Sequence, residues 1–178
     1  MTRQPICPMH QLHFAAYHFA DDGAIPNHPT WPMLVYQGVF QPDAVDPAAA
    51  AEGFFTANGW GDTWRNGIFA YHHYHSTAHE ALAICRGIAQ VRFGGEGGVT
   101  LTVQAGDVVV LPAGTGHKRL SAGNDLLVVG AYPPGQPVDL QRGAPDERPQ
   151  VLENIQHVSL PTTDPVYGEH GPLVVHWR

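Results

Sequence analysis

Short apolar runs separated by glycine and proline dominate the middle of the chain. Runs of this length, spaced this closely and rich in β-branched residues, predict strands rather than helices. The loop from Gly94 to Gly98 lies between two such runs and predicts a β-hairpin. Together the runs predict an all-β sandwich or barrel. The predicted strands are Met33–Tyr36, Ile68–His75, Ala81–Cys85, Ala89–Phe93, Val99–Val103, Asp107–Leu111, Leu126–Ala131 and a final short one, Leu173–Trp177.

One helix interrupts this pattern in the N-terminal half. Asp46 can cap it, Pro47 suits its first position, and residues 48–55 continue it to an end at Asn58-Gly59. The tail, residues 133–178, is rich in proline and charge and predicts irregular structure, with a helical turn over Gln150–Asn154. Since no long linker divides the chain, we expect one domain over residues 1–178 with its core at 64–132.

Charge and hydropathy exclude several classes of partner. The 178 residues carry a formal charge of -7, and Lys118 is the sole lysine. We therefore expect no nucleic-acid or anionic-membrane partner. No apolar stretch is long enough to cross a bilayer, and no secretory signal is visible. The two cysteines, Cys7 and Cys85, match no metal or redox spacing, so a cytoplasmic protein is expected.

Histidine is the compositional outlier, with 12 residues. On a strand, His73 and His75 share a face, roughly 7 Å apart, which lets two imidazoles bind one metal. Glu80 begins the next strand after a tight turn, and its carboxylate can reach the same point. His117 follows a later strand through a glycine-rich turn. Three imidazoles and one carboxylate suit Mn, Fe, Co, Ni, Cu or Zn and suit Mg or Ca poorly.

These residues resemble the two motifs of the cupin superfamily. Gly67, His73, His75, Glu80 and Gly87 match the spacing of the first motif at every position. The second motif is matched by Gly106, Pro112, Gly114 and His117, whereas Ser121 stands where the family usually carries asparagine. The resemblance implies a double-stranded β-helix, or jelly roll, and a single divalent transition metal held by His73, His75, Glu80 and His117.

The resemblance leaves the activity open. It implies a metal-dependent enzyme, such as an oxygenase, isomerase or decarboxylase, that acts on a small molecule and in which Glu80 can leave the metal and serve as a catalytic base. The alternative is a non-catalytic module that binds a metal or small ligand, since fold alone does not fix function. A metal-free sugar epimerase is a third hypothesis, and the presence of all four motif ligands argues against it. Homologous small cupins commonly dimerise, so a homodimer is expected.

Residues next to the proposed ligands are given other roles. Strand alternation turns His72 and Tyr74 away from the metal. His79 is expected at the surface of a turn. Cys85 is expected to be buried outside the barrel as an unreactive thiol.

Overall fold

The computed structural model describes residues 6–178. Nine strands and three α-helices follow one another in it, together with short 3-10 helices at Met9–Gln11 and Pro145–Glu147. The strands are β1 (His13–Tyr17), β2 (Met33–Gln37), β3 (Gly61–Asn66), β4 (Glu80–Arg86), β5 (Ile88–Phe93), β6 (Val99–Gln104), β7 (Val108–Leu111), β8 (His117–Ala122) and β9 (Leu127–Tyr132). The helices are α1 (Ala49–Ala57), α2 (Gln150–His157) and α3 (Pro172–His176).

The strands form two antiparallel sheets. The larger has six strands in the order β1-β2-β7-β4-β9-β3, and the smaller has three in the order β6-β5-β8. Side chains from both sheets, among them Leu82, Val109, Val91 and Phe93, form a common core. The predicted all-β class is confirmed, and the two-sheet arrangement is that of the cupin double-stranded β-helix.

The outer face of the six-stranded sheet is also covered. Phe54 and Phe55 of α1, together with Leu173 and Trp177 from the end of the chain, pack against it. Cys85 faces this second core, and burial raises the pKa of its thiol to about 12, as expected for an unreactive cysteine. Burial on both faces explains why β4, β7 and β9 are continuous apolar runs rather than alternating ones.

Two predicted strands are wrong. Residues 68–75 form no regular strand, because the segment changes partners along its length: His73 pairs with His117, and Tyr74 pairs with Gln141. The predicted strand Leu173–Trp177 is instead the short helix α3. Its N-terminal Pro172 favours a helix start, and Leu173 and Trp177 lie four residues apart, so both reach the core from one face.

Other predicted elements are longer or start later than expected. The N-terminal helix begins at Ala49 rather than at Pro47, and its end at Asn58-Gly59 is confirmed. The tail contains a full helix, α2, where one turn was expected. None of the helices within residues 6–178 has the length and apolar character that a bilayer span requires.

Candidate metal centre

The four predicted ligands come together at one end of the barrel. Glu80 is the first residue of β4, and His117 is the first residue of β8. The backbones of His73 and His117 exchange two hydrogen bonds, of 3.2 and 3.0 Å, so their rings lie side by side with centroids 4.0 Å apart. All four side chains are buried. The structure therefore brings these four side chains together at one end of the barrel.

The turn before His117 is tied to the segment that carries His75. The backbone N–H of Gly114 donates to the His75 carbonyl at 2.8 Å, and that of Gly116 donates to Oδ1 of Asn27 at 3.3 Å. Gly114 has φ +90°, and a Cβ there would lie 2.9 Å from the Asn27 carbonyl oxygen. Glycine is required at this position, since any other side chain would displace the turn that places His117.

The donor atoms point toward a common position. Nε2 of His75 lies 3.3 Å from Oε2 of Glu80, and Nε2 of His117 lies 3.4 Å from the same oxygen. Neither pair is aligned as a hydrogen bond, so this buried oxygen has no hydrogen-bond partner among the described residues. A buried carboxylate oxygen that faces two imidazole nitrogens without an aligned hydrogen bond is a strong electrostatic centre into which a cation fits.

Backbone carbonyls orient two of the imidazoles. Nδ1 of His75 contacts the carbonyl oxygen of Asp139, and Nδ1 of His117 lies 3.3 Å from that of Thr115. Because a carbonyl only accepts, each Nδ1 carries a proton, so whenever the ring is neutral its lone pair is on Nε2. This is the tautomer in which a histidine binds metal through Nε2.

The other oxygen of Glu80 is held by a short hydrogen-bond chain. Tyr132 donates its hydroxyl proton to Oε1 of Glu80 at 3.2 Å, and Nε1 of Trp64 donates to the Tyr132 hydroxyl at 2.9 Å. Trp64 reaches this place because residue 130 is glycine, where a Cβ would lie 2.1 Å from the indole. The chain fixes the carboxylate with Oε2 toward the imidazoles.

Charge is shared unevenly among the four side chains. Burial favours the neutral form of Glu80, but the imidazoles of His75, His117 and His73 together outweigh it and lower the pKa of Glu80 to about 2. Burial likewise opposes the charged form of His75, yet Glu80 raises the pKa of His75 to about 9. Burial lowers the pKa values of His73 and His117. Without metal, a His75 imidazolium therefore faces the Glu80 carboxylate, and metal binding must release that proton.

These residues fit a transition-metal ion. Among residues 6–178, no group of three or more His, Cys, Asp or Glu side chains is already arranged to hold an ion. The contact distances of 3.3 and 3.4 Å are nevertheless near the roughly 3 Å that separates neighbouring ligands when each lies about 2.1 Å from an ion. The Glu80 oxygen without an aligned hydrogen bond and the carbonyl contacts at Nδ1 of His75 and His117 favour the same interpretation.

A cavity of about 320 Å³ opens onto these side chains. Its inner end is formed by His73, His75, Glu80, His117 and Tyr132. Its walls and mouth come from β3, from residues 67–69 and from residues 138–140. The volume suits a small molecule.

Three residues of the site are not apparent from the sequence, and His79 lies elsewhere than predicted. Tyr132 lies 52 positions from Glu80, Trp64 lies 16 positions from Glu80, and Asp139 lies 64 positions from His75, so only the tertiary structure reveals these contacts. His79 is fully buried rather than exposed: its Nδ1 accepts from the Ala113 N–H at 2.9 Å, and its ring packs on Trp177. His72 and Tyr74 face away, as predicted, toward Glu96 and Glu147.

The fold and the cluster of side chains define a cupin-type protein. The chain belongs to the same family as YjlB of Bacillus subtilis, a protein named as uncharacterized. The two are 44% identical over 161 residues, which are 90% of this chain and 94% of YjlB. No protein-family model matches the chain.

Solved structures show weaker likeness. One is an uncharacterized protein with a double-stranded β-helix domain from Klebsiella pneumoniae, with a TM-score of 0.36 and 13% identity, covering 76% of this chain and 90% of that one. Another is a DMSP lyase structure, with a TM-score of 0.37 and 13% identity, covering 65% of this chain. This chain spans less than half, 45%, of the lyase chain. Likeness at this level carries no argument about activity.

Proposed function

We propose that this chain is a metal-dependent cupin that binds one divalent transition ion through His73, His75, Glu80 and His117 and acts on a small molecule in the cavity. The observation that carries the proposal is the convergence of Nε2 of His75 and Nε2 of His117 on the unpartnered Oε2 of Glu80. Four protein ligands leave open positions on a six-coordinate ion, where a bound metal supplies Lewis-acid or oxygen-activating chemistry.

The protein's own residues have separate tasks in this proposal. Tyr132 holds Glu80 in place through Oε1, and the carbonyl of Asp139 holds His75. The apolar walls exclude water from the inner end of the cavity, which strengthens electrostatic interactions there. Glu80 is the candidate catalytic base, since it is the carboxylate at that end.

Elemental analysis of the purified protein tests the metal centre. We expect about one transition-metal ion per chain, and His75→Ala should lose most of it. His72→Ala is the matched control, because the His72 imidazole lies close to His75 in the sequence but faces Glu96 rather than Glu80. Protein that binds none of Fe, Mn, Co, Ni, Cu or Zn when they are added would refute the proposal.

A second measurement separates an enzyme from a non-catalytic binding module. Iron-loaded protein would be tested for dioxygen consumption, and each loaded form for substrate turnover, against a panel of small molecules. Turnover that His117→Ala abolishes supports an enzyme. Tight binding of a panel member without turnover under any loading supports the binding module.

A further inference from the structure

The cavity that leads to the proposed metal ligands has apolar walls and an apolar mouth. Trp64, Ile68 and Leu82 line its walls. Its mouth carries large apolar side chains that remain exposed, namely Phe69 (45%), Val138 (42%) and Leu140 (47%). Exposed apolar residues gathered around one opening indicate a surface that a ligand covers.

Apart from the exposed amide of Asn66, which accepts from the Gly67 N–H, the polar side chains of the walls are engaged inside the site. The Tyr132 hydroxyl is bonded to Glu80 and Trp64. The Asp139 carboxylate accepts from the backbone N–H of Ser76 at 2.7 Å and from the side chain of Gln141 at 2.9 Å. Within the part of the chain that the structure describes, no lysine or arginine lines the cavity. If a ligand carried a second charge, that charge would therefore lose its water in the cavity and meet no oppositely charged side chain there.

The mouth is fixed before any ligand arrives. The Phe69 ring stacks on Tyr71 with centroids 4.9 Å apart, and the Arg142 guanidinium lies 3.8 Å from the centre of the Tyr71 ring. On the other side, Asp139 anchors the segment that carries Val138 and Leu140 through its bonds to Ser76. A rigid apolar opening loses little conformational entropy when it binds an apolar group.

We propose that the substrate of this site is a small molecule with one anionic or chelating oxygen head group and an apolar tail. The head group binds at the metal, and the tail contacts the walls and the mouth. Sugars and polyanions are disfavoured because their additional polar groups would meet apolar walls. This inference rests on the proposed function, since the metal is the partner of the head group.

Binding of hydroxamates to cobalt-loaded protein tests the inference. The probes are acetohydroxamate, hexanohydroxamate and a six-carbon hydroxamate with a terminal carboxylate, and affinities are measured by titration calorimetry. We expect hexanohydroxamate to bind at least tenfold more tightly than acetohydroxamate, because each buried methylene contributes about threefold to fourfold. The terminal carboxylate should remove that gain.

A pair of variants locates the apolar contact. Leu140→Ala should reduce the preference for the longer tail, whereas Leu120→Ala, which alters a side chain of similar exposure outside the cavity, should leave it unchanged. Equal affinity for all three probes in cobalt-loaded protein would overturn the inference and leave the proposed metal centre standing. Failure to bind cobalt at all would overturn the proposed function and this inference with it.

Discussion

Among residues 6–178, the Tyr132 hydroxyl is the one side-chain group outside the proposed ligands that donates a hydrogen bond to Glu80, and Tyr132 also lines the cavity. We expect Tyr132→Phe to lower metal affinity by about tenfold to a hundredfold, as is typical when a group that orients a ligand is removed. The phenylalanine keeps the ring, so the melting temperature of the metal-free protein should change little. Metal titration followed by a competing chelator measures the effect.

Tyr167→Phe is the matched control for that experiment. Its hydroxyl also makes a hydrogen bond, to the Cys7 carbonyl at 2.9 Å, but it lies away from the cavity. Unchanged metal affinity in Tyr132→Phe would show that Glu80 is held without the tyrosine.

At this scale the sequence predicted which four side chains lie together but not the groups that hold them in place. The ligand spacing is a local signal, because His73, His75 and Glu80 lie within eight residues. Tyr132 faces Glu80 only because β9 pairs with β4 in one register, with Ala131 opposite Ala81. His79 was misplaced for a related reason: its position in a turn suggested exposure, and the tail that covers it comes from almost a hundred residues later.

At the scale of elements, the five-residue helix α3 stabilises the fold by placing Trp177, the residue that follows it, in the core. Trp177 is fully buried, its indole stacks on that of Trp31 with centroids 5.6 Å apart, and its Nε1 donates to the Pro32 carbonyl at 2.8 Å. We expect Trp177→Ala to lower the free energy of unfolding by about 3–5 kcal/mol. Urea denaturation measures it.

Val175→Ala, within α3 and two residues before Trp177, provides the comparison. Val175 is 58% exposed, so its truncation should change stability by less than about 0.5 kcal/mol. Similar losses for the two variants would mean that the helix itself, rather than the tryptophan, carries the stabilisation.

The elements predicted best are those whose burial shows in the local pattern. β5 and β6 flank a glycine-rich turn, and β7 is an uninterrupted run of valines that ends at leucine, so their bounds were predicted to within one residue. Residues 68–75 and α3 could not be predicted in this way. Their conformation follows from tertiary partners, Gln141 and Pro32 among them, that a local window does not contain.

At the scale of the whole molecule, two apolar cores flank the six-stranded sheet, one on each face. The strand order that creates them, with β7 between β2 and β4, joins segments far apart in the sequence and cannot be predicted from local sequence patterns.

Since cores of this size do not depend on a metal, removal of the ion should leave the fold intact and lower only the melting temperature. Circular dichroism of chelator-treated protein tests this, and an unfolded apo-protein at 25 °C would contradict it.

Acid should destabilise the metal-free protein through buried neutral histidine. Burial lowers the pKa of His28 to about 4, and the unfolded chain has a value near 6.5. Between these values the unfolded state binds the additional proton, so the stability present above pH 6.5 is lost as the pH falls toward 4, at up to about 1.4 kcal/mol per pH unit for each proton. Glu80, with its lowered pKa, contributes in the same direction only below its unfolded value of 4.5.

The variant His28→Asn isolates this contribution. Nδ1 of His28 accepts from the backbone N–H groups of Thr30 and Trp31 at 3.2 and 2.9 Å, and an asparagine oxygen can accept in such a turn without titrating. Urea midpoints of both proteins at pH 7.5, 6.5, 5.5 and 4.5 make the comparison. We expect the wild-type midpoint to fall below pH 6.5 and the variant's to fall less steeply. Parallel curves would show that His28 takes no part, and a wild-type midpoint that rises relative to the variant's as the pH falls from 6.5 to 4.5 would reverse the sign derived from the burial of His28.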